Sequence, residues 1–332
     1  MRLTNLNDRQ RVRLSRSNCV LLANPYARRV SRKTIARAVD VIGIDERAIR
    51  EIGRDGTARA LSEQAVREAV PFVVVAGGDG TLHQIIQVLA GTGTALAVVP
   101  LGTSNDLARR AGLPLGVAGL EATLDRPRVA ALDLLRIGGR RIATVGGFGL
   151  PSHVSACCNR LRSRPVTGPV VSWLGGNVYS VVAASRILKH GGEASAYTMR
   201  VNDGPPFTMR AAAVIVGLGE RFGGGMQLAA DGEVSPGTFA ALFVTATTRY
   251  GLLSTLVRVK LGWPTGGLAV TRVGITRLSL RSGDLVASFG DGEPLGLIGR
   301  TVIELEPRSL NVLLPMGRGE IGNVPTRLRR AV

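Results

Sequence analysis

The chain has 332 residues, 45% of them hydrophobic, enough for two domains with sizeable cores. Its formal net charge of +18 suits a polyanionic partner, either nucleic acid or an anionic membrane leaflet. Aromatics are only 4%, so base-stacking platforms are scarce, no nucleic-acid recognition motif is present, and nucleic acid is not an expected partner.

Residues 1–17 are basic with no apolar run behind them, and read as a disordered arm rather than a signal peptide. Cys19 to Ala23 is a first strand, closed by Asn24-Pro25. Ser31 caps a helix through Ile42, Glu46 to Ile52 is a second strand, and Thr57 to Val70 a helix. Phe72 to Ala76 is a short buried-strand pattern that runs into Gly77-Gly78-Asp79-Gly80-Thr81. Leu82, Ile85, Ile86 and Leu89 follow at i, i+3, i+4 and i+7, one face of a helix. The glycines therefore sit on a strand-to-helix turn, where backbone N–H groups and the positive helix end receive phosphate. The pattern recurs: Ala95 to Val99 is a strand, Pro100-Leu101-Gly102-Thr103-Ser104-Asn105-Asp106 a polar turn, and Leu107 opens a helix with Thr103 or Ser104 as N-cap. Strands alternating with helices predict a parallel sheet with helices on both faces.

Near Arg126 the character changes. Short strands dominate: Arg141 to Gly147, Ala196 to Val201, Met209 to Val216, Thr238 to Ala246, Arg277 to Leu280, Leu285 to Phe289, Thr301 to Glu306 and Ser309 to Pro315. Gly, Pro and Asp turns between them predict a β-sandwich. Gly251 to Gly262 has apolar positions at Leu252, Leu253, Leu256, Val257 and Leu261, with Arg258 and Lys260 among them. It reads either as a core-packed helix or as one lying on a membrane surface. Cys19, Cys157 and Cys158 form no disulfide framework and have no zinc spacing. No apolar run approaches the ~18 residues of a membrane-spanning helix.

GGDGT followed by PLGTSNDLAR and Gly112-Leu113-Pro114 resembles the diacylglycerol kinase catalytic domain in its bacterial lipid kinase branch, which is related to sphingosine and ceramide kinases. Asp133, Gly146-Gly147-Phe148-Gly149, Tyr179, Gly223-Gly224-Gly225-Met226 and the closing strand Ser309 to Pro315 match further markers. The resemblance spans about residues 18 to 316. It implies a Rossmann-like parallel α/β domain and a C-terminal β-sandwich domain, an α/β plus β fold like that of NAD kinases and diacylglycerol kinases. The boundaries expected are 18–126 for the nucleotide domain, 127–306 for the sandwich, and 307–332 for a closing strand that packs near the first domain and a basic tail.

The activity implied is ATP- and Mg²⁺-dependent transfer of phosphate to a hydroxyl of a diacylglycerol-like lipid, within lipid metabolism and phospholipid biosynthesis. ATP would contact Asn24, Gly77, Gly78, Asp79, Gly80, Thr81, Leu82, His83, Thr103 and Asn105. Asp291-Gly292-Glu293, between two strands, matches the family's catalytic triplet. Glu293 is the expected base and Asp291 its partner, although the spacing also accommodates the reverse. Asp79 or Asp291 would meet the Mg²⁺ carried by ATP. The family's structural Mg²⁺ site falls at Pro236, which has no side-chain ligand, unless Asp231 or Glu233 substitutes. Ile52 and His83-Gln84 also depart from the family pattern. Partners implied are ATP and a lipid at the inner face of the membrane, met from the cytoplasm by peripheral association, with room for a homodimer. The rival readings are an NAD kinase-like enzyme with a soluble acceptor, which PLGTSND disfavours, and a non-catalytic lipid- or nucleotide-binding protein.

Overall fold

The computed structural model describes residues 14, 18–27, 29–53, 57–163, 167, 176–222, 225–229 and 234–315. Two compact units divide the chain at Asp133/Leu134 and at Glu306/Pro307, so the chain passes from one to the other inside two strands. The boundary expected from the sequence, 126/127, falls where the strand carrying the first crossing begins. Of the expected basic arm only Leu14 is described, and it is buried in the first unit's core. The basic tail, Gly223, Gly224, Asp231 and Glu233 lie outside the described residues.

The first unit is a parallel sheet. β1 (Cys19–Ala23) pairs with β2 (Ile49–Glu51) on one side and β3 (Phe72–Gly77) on the other, and β3 pairs with β4 (Ala95–Pro100). Every residue of β1, β3 and β4 is buried, as strands covered on both faces must be. α1 (Arg32–Ile42) and α5 (Val117–Asp125) pack on the face carrying Cys19, Leu21 and Ala23. α2 (Thr57–Arg67) and α3 (Asp79–Leu89) pack together to cover the alternate side chains. Short α4 (Asp106–Arg110) follows β4. Ser31 caps α1 as the sequence indicates, accepting from the Thr34 N–H at 3.1 Å. The expected strand from Glu46 instead opens with a 3₁₀ turn and is extended only over Ile49–Glu51.

The second unit is an antiparallel sandwich flanked by helices. β5 (Pro127–Ile137) hairpins with β6 (Arg140–Ile142), and β7 (Val145–Gly149) leads into α6 (Leu150–Ser163) and α7 (Asn177–His190). β8 (Ser195–Val201) pairs with β9 (Phe207–Ala211). β10 (Ala213–Gly217) lies between β7 and β13 (Phe239–Val244), with the β11–β12 pair (Arg221–Phe222, Met226–Gln227) between them in sequence. α8 (Arg249–Leu261), β14 (Ala269–Ile275), β15 (Arg277–Gly290) and β16 (Glu293–Pro315) complete the order. β15 pairs with β8 near its start and β7 near its end, so one strand serves both layers. Phe148, Tyr197, Phe239, Phe243 and Leu278 fill the core between the layers. α8 and the end of α7 cover the outer side of β10 and β13.

Several strands differ from their sequence outline for one reason: the chain changes partner where no turn is needed. Met209 to Val216 is two strands broken at Ala212, because β9 pairs with β8 while β10 pairs with β7 and β13. Arg277 to Phe289 is one strand with an irregularity between Arg281 and Val286. Thr301 to Pro315 belongs to a single strand, β16, whose closing residues join the first unit's sheet through Val312 beside Leu96.

The T-shaped contact of Phe243 with Phe207, centroids 6.4 Å apart, sits at the heart of the sandwich. Phe243→Ala is expected to lower stability by about 3–5 kcal/mol. A denaturant titration checks this, and an unmoved midpoint would contradict the packing described.

Candidate functional site

In the first unit the two polar turns are locked together by backbone. A Cβ on Gly102 would lie 2.6 Å from Gly78 Cα, and one on Gly78 2.9 Å from Gly102 Cα. No side chain fits at either position without parting the turns. The Leu101 N–H donates to Gly77 C=O at 2.9 Å, and Asp79 Oδ1 accepts the Asp106 N–H at 2.8 Å. Asp79 thus caps the start of α4 from the first turn of α3, a role neither motif reveals alone. Asn24 Nδ2 donates to Thr81 Oγ1 at 2.7 Å, tying the end of β1 to the same turn.

These contacts sort the expected nucleotide residues. Gly78, Asp79, Gly80 and Thr103 are partly accessible, and the first N–H groups of α3 have no acceptor within the helix. Gly77, Thr81, Leu82 and His83 are buried. Asn105 is fully buried in the left-handed region (φ 50°), where its side chain accepts from the Gly102 N–H at 2.8 Å and donates to Gly102 C=O at 2.9 Å. It shapes the loop instead of lining it. Asn105, and neither Thr103 nor Ser104, occupies the N-cap position of α4. Ile52 is buried, and its N–H donates to Ala23 C=O.

In the second unit Asp291 and Gly292 are the two central residues of a tight β15–β16 hairpin, both with positive φ (50° and 86°). Asp-Gly is the pair a type I′ turn favours. The Asp291 carboxylate is enclosed by donors: the Ala143 N–H at 2.9 Å, the Thr144 N–H at 2.8 Å and the Thr144 hydroxyl at 2.7 Å. Its own N–H donates to Val145 C=O. This is why Arg141 to Gly147 is not one strand: Ala143 and Thr144 give their N–H groups to Asp291. N–H donors therefore reach both carboxylate oxygens of Asp291 and hold it against the segment that joins β6 to β7.

α6 holds the same hairpin from the other side. Asn159 Nδ2 donates to Gly292 C=O at 2.9 Å and lies 3.5 Å from Glu293 Oε2, and the Ser155 hydroxyl also donates to Gly292 C=O. Arg162 donates to the Tyr179 hydroxyl at 3.1 Å and stacks over that ring at 5.0 Å, next to Asn159. Ser155, Asn159 and Arg162 carry no motif of their own in the sequence. Only their spacing on one helix face (i, i+4, i+7) hints at a shared role.

Among the described residues, no group of three or more His, Cys, Asp or Glu side chains is placed to hold a metal ion. Pro236 is exposed in a turn. Cys158 is a buried free thiol, pushed up to about 11 by burial. Asp133 accepts the Arg308 N–H at 2.8 Å, where β16 enters the first unit with Arg308 at φ 49°.

Residues 18–137 match the diacylglycerol kinase catalytic domain, and residues 154–314 match the YegS C-terminal NAD kinase beta sandwich-like domain. A protein of Pseudomonas aeruginosa named probable lipid kinase YegS-like is 31% identical over 279 residues, covering 82% of this chain and 86% of that one. A protein of the same name from Pseudomonas syringae pv. syringae is 30% identical over 282 residues, covering 81% and 84%. Two solved chains from Bacillus anthracis share the fold. One aligns at TM-score 0.71 with 20% identity, covering 89% of this chain and 96% of that one. The other, a diacylglycerol kinase, aligns at 0.64 with 17% identity and the same coverage.

The hairpin separates its two acids experimentally. Asp291→Asn keeps a residue that tolerates positive φ but removes charge-assisted acceptors, and is expected to cost about 1.5–3 kcal/mol. Glu293→Gln is expected to stay within about 0.5 kcal/mol. Thermal unfolding of both variants decides it, and equal losses would contradict the assignment.

Proposed function

The chain belongs to the diacylglycerol kinase catalytic-domain family, with the lipid kinases named YegS-like among its relatives, and on that premise we propose that it transfers the γ-phosphate of ATP to a hydroxyl of a diacylglycerol-like lipid. The observation that carries the reading is the locked pair of turns at the start of α3. That surface offers backbone donors at a positive helix end with glycine in place of side chains, which is what a row of phosphates requires.

In this reading the ATP phosphates lie over Gly78, Asp79, Gly80 and Thr103. Gly77, Thr81, Leu82, His83 and Asn105 act from beneath, and partly accessible Asn24 holds Thr81 from the end of β1. Mg²⁺ carried by the nucleotide would supply charge neutralisation at the phosphates. It needs only one or two protein carboxylates beside the phosphate oxygens, and the half-buried Asp79 suits that part. Glu293 accepts the proton of the lipid hydroxyl as that oxygen attacks the γ-phosphorus. The bond from the γ-phosphorus to the β–γ bridging oxygen breaks, and ADP leaves with that oxygen. Asn159 steadies the carboxylate, and Asp291 fixes the turn that presents it.

No helix among the described residues is long and apolar enough to cross a membrane. In this reading the protein meets its lipid acceptor at the inner face of the membrane by peripheral association. A soluble acceptor is disfavoured because the relatives bear lipid kinase names.

The test is transfer of radiolabel from γ-labelled ATP into a total lipid extract, with wild type and Glu293→Ala in parallel. Wild type is expected to yield one labelled lipid, whose chromatographic identity names the acceptor. The variant is expected to lose about 10²–10⁴-fold in rate, the usual contribution of a general base. Label confined to water-soluble products, or an unimpaired variant, would overturn the reading.

A further inference from the structure

α8 is apolar on two opposite sides, one buried and the other exposed among the described residues. At about 100° per residue, Leu252, Thr255 and Val259 fall along one line of the helix. All three are buried, with Leu252 and Val259 in the core beneath. Tyr250, Val257 and Leu261 fall along the opposite line. Tyr250 is 84% exposed, and Val257, Leu261 and Trp263, just past the helix, are each more than half exposed. An exposed apolar stripe rimmed by polar residues is the kind of surface that meets a partner or a membrane.

The flanks of the exposed stripe are cationic. Arg258 lies on one side, and Arg249 and Lys260 on the other. Arg258 donates to Pro264 C=O at 2.8 Å and Lys260 to Asn177 Oδ1 at 2.8 Å, both neutral acceptors. α7 runs antiparallel beside α8: Asn177 meets Lys260 at one end, and Gly191, just past α7, meets Arg249 at the other. α7 adds exposed Val181 and Leu188 at i and i+7, and ends in Lys189 and His190. Neither helix contains an acidic residue, and Glu193, just beyond α7, is the nearest in sequence.

We propose that the exposed face of α8, with the adjoining side of α7, is where this protein docks on an anionic bilayer. The helix would lie in the interfacial plane, its stripe among the upper acyl chains, its flanking cations at headgroup phosphates, and Tyr250 and Trp263 at the polar boundary. A second copy of the chain is the weaker occupant. A symmetric contact would set two cationic helices, neither with an acidic residue, against themselves. The proposal deepens the lipid kinase reading, since a diacylglycerol-like acceptor resides in a bilayer, but its test involves no phosphate transfer.

The test is co-sedimentation of the full chain, without nucleotide, with vesicles of phosphatidylcholine alone or mixed with phosphatidylglycerol, at low and high salt. Wild type is expected to bind the mixed vesicles and to be weakened by salt. The double variant Val257→Gln, Leu261→Gln is expected to lose at least about tenfold in partitioning. Arg258→Gln with Lys260→Gln is expected to lose about tenfold or more on the anionic vesicles only. Leu297→Gln, an equally exposed apolar site on β16, serves as control and is expected to bind as wild type. In a Trp173→Phe background, Trp263 fluorescence is expected to shift to the blue on binding. Thermal unfolding verifies that each variant is folded. Wild-type binding by the Val257/Leu261 variant, an equal loss in Leu297→Gln, or a wild-type dimer that this variant splits while vesicle binding persists would each overturn the proposal.

Discussion

The approach of Gly78 to Gly102 is the constraint on which the first unit's site depends. At that separation neither position can carry a Cβ, so two loops from successive strands act as one backbone surface. The hydrogen bonds around it follow from the same closeness. Asp79 reaches the first N–H of α4, Leu101 reaches Gly77, and Asn105 folds back on Gly102 from a left-handed conformation. Such conformations cost about 1–3 kcal/mol and persist only where the surroundings enforce them. Here the enforcement comes from fully buried β3 and β4, whose paired ends deliver both turns to the same place.

The second unit obtains its rigidity differently. Its acidic triplet sits on a two-residue hairpin, where a lone Asp-Gly turn would be a mobile tip. Three donors from the segment joining β6 and β7 hold Asp291, and two donors from α6 hold the carbonyl of Gly292. The turn is thereby fixed from both sides, and Glu293 inherits a defined place at the start of β16. Two acids separated by one glycine have unlike surroundings, because one is enclosed by three donors and the other follows the turn.

Much of this was legible in the residues. The five apolar residues before GGDGT and the i, i+3, i+4, i+7 pattern after it specify strand, turn and helix, because burial and period leave few alternatives. Asp-Gly between two strand patterns specifies the hairpin. What stayed hidden depends on pairing across distance. That Asp79 serves Asp106, or that Asn105 bends onto Gly102, follows from which loops touch, and nothing local encodes it. The division of Asp291 from Glu293 likewise depends on Ala143 and Thr144, far away in sequence. Strand ends differ from the sequence outline where β15 and β16 run on past glycines and a proline of the kind that marks turns. In α8 the apolar residues were visible, but which of its two apolar sides faces the core was not, since both satisfy a helical period.

The central claim is that the two glycine turns form one surface for the phosphates of ATP. Calorimetric titration of ATP into wild type and Gly102→Ala tests it most directly, because the added methyl must part the turns while the sheet beneath stays intact. The expected result is a fall in affinity of at least about tenfold, or about 1.4 kcal/mol, with the first unit still folded by circular dichroism. Unchanged ATP affinity in a folded Gly102→Ala protein would contradict it.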